Sequence, residues 1–69
     1  MKSIQAYSEV NQLINRGWEH SSVCEYMRNK LDHNGYDSGG GAELLVVYFS
    51  DGVLILSPFN RLSYYLSPL

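Results

Sequence analysis

A single cysteine, Cys24, in 69 residues leaves nothing for an internal disulfide to join and no thiolate cluster for a structural zinc. Long apolar runs are missing too. Asp51-Gly52 interrupts the longest one, well short of the ~18 residues a membrane-spanning helix takes. Met1-Lys2-Ser3-Ile4-Gln5 carries no apolar stretch, so we expect no secretory leader and, with one free thiol, a cytoplasmic setting. Basic residues are scarce: Lys2, Arg16, Arg28, Lys30 and Arg61 stand scattered against seven acidic ones, for a net charge of −2. That balance argues against a chain that depends on phosphate contacts. No catalytic constellation and no cofactor fingerprint stands out, so we expect neither an enzyme nor a resident cofactor or metal. A chain of this length buries only about 60% of the surface it exposes when unfolded. Small domains usually make up the difference with disulfides, metals or association. Association is what remains, and we expect a protein partner, a homodimer, or both.

What is present is organised around Ala42 to Ser57, AELLVVYFSDGVLILS. Two runs rich in β-branched and aromatic residues, Leu44 to Phe49 and Val53 to Leu56, flank Ser50-Asp51-Gly52. Asp-Gly between apolar runs predicts a hairpin with a type I′ turn, whose two central residues need positive φ. With Asp51 and Gly52 as the loop, Ser50 should face Val53, Phe49 should face Leu54, Tyr48 should face Ile55 and Val47 should face Leu56. One face then carries Leu45, Val47, Phe49, Leu54 and Leu56 and must be the core. The other carries Val46, Tyr48, Val53 and Ile55. It is too apolar for a sheet open to water, so something should cover it.

Ahead of the hairpin, Ile4, Tyr7, Val10, Leu13 and Ile14 fall on a helical stripe, with Ser3 placed to cap its start and Gly17 to end it. A second helix is expected from Ser21 or Ser22, with Ser22 and Glu25 as a capping box. Its stripe is Val23, Tyr26, Met27 and Leu31, and it should stop near Asn34-Gly35. Asp37 to Gly41, DSGGG, reads as a flexible connector. After the hairpin, Ser57-Pro58 could open a short helix through Phe59, Leu62 and Tyr65. The alternation of Leu62, Tyr64 and Leu66 with Arg61, Ser63, Tyr65 and Ser67 is cleaner, and it favours a third strand. The expected fold is therefore α+β, two helices on one face of a small antiparallel meander in the order α-α-β-β-β. It forms one small domain over 1–69, with a helical half at 3–33, a connector at 34–41 and a sheet half at 42–67.

Three groups of residues are candidates for function. His20 and Cys24 are four apart, half of a metal site or a nucleophile with its base, but further ligands at diagnostic spacing are missing and His20 should precede the helix. Surface histidines and a buried thiol account for them more simply. Leu13 to Tyr26, with a glycine in the turn and Val23 six positions after it, resembles the helix-turn-helix pattern of bacterial and phage repressors. That resemblance implies a DNA-binding regulator reading through Ser22, Arg28 and Asn29, with the hairpin as a wing. The chain departs from the pattern with Leu13 where alanine is usual and Arg16 where an apolar residue is common. An antiparallel helix pair packed on a sheet is the plainer account of the same segment. Last come the aromatic residues. Tyr7, Tyr26 and Tyr48 lie on apolar stripes, as core or core-edge residues would. Trp18, Tyr36, Tyr64 and Tyr65 fall in connectors or the C-terminal segment, where an amphipathic ring suits an interface. With Tyr48 and Ile55 on the second sheet face, these four make the expected protein interface.

We therefore expect a non-enzymatic protein-binding module, of the kind phages and mobile elements use to inhibit host proteins. A DNA-binding regulator is the first alternative and a structural subunit of a larger assembly the second.

Overall fold

The computed structural model describes residues 2–36, 38–41 and 43–67. Asp37 and Ala42, at the connector and its junction with the sheet half, lie outside the described residues. Helices α1 (Ser3–Asn15) and α2 (His20–His33) are followed by strands β1 (Ser38–Gly39), β2 (Leu45–Phe49), β3 (Gly52–Ser57) and β4 (Arg61–Leu66). The strands form one antiparallel sheet in sequence order, β1-β2-β3-β4. Both helices lie on one of its faces, α1 against β3 and α2 against β1. The α+β meander expected from the sequence is the fold observed. The C-terminal segment is a strand, and the connector contributes a two-residue edge strand besides.

Both helices stop at a glycine by the same device. Gly17 has φ +85° and Gly35 has φ +79°. Gly17 and Trp18 donate to the carbonyls of Ile14 and Leu13, and Gly35 and Tyr36 donate to those of Asp32 and Leu31. These are the paired bonds of a Schellman motif, which satisfies carbonyls the helix leaves open. The helix starts differ from expectation. Ser3 is not the cap of α1 but its first residue, and Lys2 stands at the cap, its N–H donating to Gln5 Oε1 at 2.7 Å. The reason is tertiary: Ser3 N–H goes to Asp51 Oδ1 at 3.1 Å, and its hydroxyl pairs with the Tyr64 hydroxyl at 2.9 Å. Ser3 is fully buried as a result. Helix α2 starts at His20 with Glu19 as its cap, so Ser22 and Glu25 lie inside the helix and no capping box forms. The Schellman turn already holds Trp18, and Val23 N–H reaches back to Glu19 O, which leaves the helix no room to start later.

The hairpin register also differs. Phe49 pairs with Gly52, Tyr48 with Val53, Val47 with Leu54, Val46 with Ile55 and Leu45 with Leu56. The two-residue loop is Ser50-Asp51, not Asp51-Gly52. Neither Asp51 nor Gly52 takes positive φ. Gly52 is there for space: a Cβ on it would sit 2.5 Å from Tyr65 O and 3.1 Å from Ser3 Oγ. The first turn of α1 comes down on this position, and only glycine lets it. The expected and observed loops differ by one position, which changes every pair but leaves each side chain on its face.

The core therefore holds the residues the alternation selects. Leu45, Val47, Leu54 and Leu56 are fully buried from the sheet, with Phe49 nearly so. Ala6, Val10 and Leu13 come from α1 and Val23, Cys24, Met27 and Leu31 from α2. Tyr26 departs from the expected stripe: it is 40% exposed, packs edge-to-face on Trp18 at 5.5 Å, and donates its hydroxyl to Glu9. Cys24 takes the inward place. An ion pair joins the helices, Lys30 Nζ to Glu9 Oε1 at 2.6 Å, and the bond from Glu9 is the main reason the Lys30 ammonium pKa is raised. Such a half-buried pair, still open to solvent, adds about 1 kcal/mol. Truncating one core leucine costs about 2–5 kcal/mol, so the apolar layer holds the fold.

Candidate functional site

The helices cover one face of the sheet, and the described residues place nothing over the other. Its side chains are ordered by the register. Tyr48, Val53 and Tyr65 form a row across β2, β3 and β4. Gly39, Val46, Ile55 and Ser63 form the next, across all four strands. Tyr48 is 68% exposed and Tyr65 60%, and they flank Val53 in an aromatic, β-branched, aromatic arrangement that favours the pairing itself. Val46, Val53 and Ile55 are half-buried by their neighbours. Among the described residues neither row holds a charge, and Arg61 comes one row on, opposite Ser57. Tyr48 thus stands out in the open, not on the core stripe. Exposed tyrosine rings over an uncharged floor bury apolar area and keep a hydroxyl for hydrogen bonding.

The six residues expected at an interface do not form one patch. Tyr48, Ile55 and Tyr65 share the open face. Tyr36 and Tyr64 lie on the helix side: Tyr36 is 5.1 Å from Phe49, ring to ring, and Tyr64 is 5.1 Å from Tyr7. Trp18 sits between the helices against Tyr26, 37% exposed. The sheet separates these three from the open face. Of the residues expected to read nucleic acid, Ser22 and Asn29 are exposed on α2. Arg28 has other work: it donates to the carbonyls of Gly41 and Leu44, both at 2.8 Å, and so holds the connector against the helix.

His20, as the first residue of α2, does share a face with Cys24, and their Nε2 and Sγ are 3.7 Å apart. The arrangement is a clamp between loops. His20 Nε2 meets the Glu43 carbonyl, and Nδ1 meets Asn60 Oδ1 at 3.2 Å. Asn60 Nδ2 in turn donates to Trp18 O. Cys24 is fully enclosed. Burial pushes its thiol pKa up, with Arg28 opposing the shift and Glu43 adding to it, the reverse of what a nucleophilic thiolate needs. Among the described residues no group of three His, Cys, Asp or Glu side chains is placed to hold a metal ion. Likewise no helix among them is long and apolar enough to cross a membrane.

One exposed residue escapes sequence reasoning. Phe59 is 91% exposed with φ +65°, beside Asn60 at φ +55°, in the three-residue turn between Ser57 and Arg61. Left-handed backbone is ordinary for asparagine and costly for phenylalanine. Phe59 borders a recess of about 500 Å³ that also touches Glu19, His20 and Glu43. Pro58-Phe59-Asn60 does carry a turn signal, proline first and asparagine in the left-handed place. A hydrophobic stripe through Phe59, Leu62 and Tyr65 competes with it on paper.

Comparison with protein-family models, with curated proteins and with solved structures finds no match for this chain. The class it defines is a two-layer α+β domain in which no described residue covers the second sheet face.

Proposed function

We propose that the protein is a small non-enzymatic protein-binding module whose contact surface is the open sheet face, centred on Tyr48, Val53 and Tyr65. The observation that carries this reading is the exposure of both tyrosines in one row which, with the row beside it, holds no charge among the described residues. An exposed apolar surface rich in tyrosine is what a protein partner buries. The enclosed Cys24 and the engaged His20 supply no reactive pair, which favours binding over catalysis. A chain of this size with a net charge of −2 suits use as an inhibitor of a host protein, of the phage or mobile-element kind.

The test is affinity capture from a lysate of the source cell, with wild type beside a Tyr48→Ser/Tyr65→Ser variant, each with and without nuclease and at two salt concentrations. The reading predicts a protein retained by wild type after nuclease and in moderate salt, and lost from the variant. Retention that depends on nucleic acid and vanishes with salt would overturn it in favour of a DNA-binding regulator acting through α2.

A further inference from the structure

The two edges of the sheet are unlike. The β1 edge is two residues long and runs into Gly40 and Gly41, so it offers little to pair with. The β4 edge is six residues long. Past Arg61 at its start it carries no charge and no proline, the usual means by which an edge strand is kept from pairing.

Which groups β4 presents follows from its ladder with β3. Ser67 N–H donates to Asp51 O at 2.9 Å, so Asp51 and Ser67 form a hydrogen-bonded pair. Hydrogen-bonded and non-hydrogen-bonded pairs alternate along an antiparallel ladder. Val53 with Tyr65, and Ile55 with Ser63, are therefore of the bonded kind. Gly52 with Leu66, Leu54 with Tyr64 and Leu56 with Leu62 are not. The N–H and C=O groups of Leu62, Tyr64 and Leu66 thus point away from β3, along the free edge. None of the bonds made by turns, loops and caps among the described residues reaches them.

The geometry points to a second copy of this chain as the occupant, its β4 paired antiparallel with this one about a two-fold axis through Tyr64. In that register Leu62 faces Leu66 of the second copy, Tyr64 faces its own mate, and every outward N–H and C=O of the three residues is satisfied. A two-fold axis requires that a surface complement itself, and a run with free groups at alternate positions centred on Tyr64 does so. Faces are preserved, because residues of like parity meet. Leu66, 69% exposed, gains Leu62 as an apolar neighbour. Arg61 faces Ser67, so no like charges are set together.

Helix α1 supplies a further match. Its one flank is taken by α2 through Glu9 and Lys30. On the other flank Tyr7 reaches Tyr64 on β4. Edge pairing brings the two Tyr7–Tyr64 ring pairs toward each other on the helix side of the joined sheet. The result is one continuous sheet across both copies with all helices on one face. The pairing stands whatever the open face binds, and it doubles the area of that face.

Sedimentation velocity of the full chain up to about 500 µM, with amide hydrogen exchange resolved by residue, tests the proposal. Wild type is expected to be a dimer in which the amides of Leu62, Tyr64 and Leu66 are protected. Leu66→Pro removes an N–H that β3 does not use, and Leu66→Lys places a charge opposite Leu62. Each should weaken dimerisation at least about tenfold, with an unchanged far-UV spectrum. The Lys variant keeps the test open should proline disturb the strand. A monomer at the highest concentration would overturn the proposal, as would a dimer that survives both Leu66 variants. So would one that dissolves with Val53→Lys on the open face and not with Leu66→Lys.

Discussion

Asp51 accepts the backbone N–H of Ser3 at 3.1 Å, across 48 positions of sequence. A turn between two strands thus caps the start of a helix, in place of the residue that precedes it. The same Asp51 receives Ser67 N–H on its carbonyl, so the turn, the first helix and the end of the last strand are tied at one residue.

Acid should loosen this tie. The Ser3 N–H, first among several causes, holds the Asp51 carboxyl below the ordinary carboxylate range. A carboxyl lowered in the folded state contributes stability that is complete above its unfolded pKa and is lost as pH falls through the folded value. Denaturant midpoints for wild type should therefore drop between pH 7 and strongly acid pH by more than those of Asp51→Asn. Parallel pH profiles for the two proteins would rule the carboxylate out as a source of the dependence.

Gly52→Ala tests the close approach of α1. Its methyl would lie 2.5 Å from a backbone oxygen of β4 and 3.1 Å from Ser3 Oγ, so the helix or the strand must move. We expect a loss of about 1–3 kcal/mol, read from urea unfolding. Were Gly52 merely a turn residue at the hairpin tip, alanine would be nearly neutral, since its φ is not positive.

Phe59→Gly should act in the opposite direction. The side chain buries almost nothing, and glycine relieves the left-handed backbone of about 1 kcal/mol. With the greater freedom of glycine in the unfolded chain set against that relief, a gain of about 0.5 kcal/mol in the same assay is expected. If stability fell instead, Phe59 would be supporting the turn through contacts with Glu19 or His20 across the recess.

The layers of this fold were legible because they rest on periodicity. Alternation along Leu45 to Phe49 and Gly52 to Ser57 identified the buried face, and Leu62, Tyr64 and Leu66 disclosed the last strand. Gly17 and Gly35 marked the helix ends because a left-handed residue there is a local need. What escaped the sequence is tertiary. Nothing near Ser3 announces that Asp51 will serve its N–H, so the helix start and the turn register both came out one position off. Nothing near Arg28 announces that it will hold the connector. Of the six residues expected at an interface, Tyr48, Ile55 and Tyr65 proved to share a face, since strand parity places them. Trp18, Tyr36 and Tyr64 lie elsewhere, because aromatic content alone does not say which side of a sheet a ring is on. Phe59 was hidden by a stripe that the turn overrides.

Each strand of the sheet pairs with the one before it in sequence, and the two helices are joined by a short connection. A chain wired by nearest neighbours has little conformational search to make, and local contacts of this kind speed folding. The docking of Ser3 on Asp51 and Tyr64, and of Trp18 and His20 on Asn60, joins distant parts of the polymer. Closing so large a loop adds only about 0.6 kcal/mol per doubling of its length. The sheet can therefore assemble as a rapid zipper, with the seating of the helices through Ser3, Trp18 and His20 as the later step.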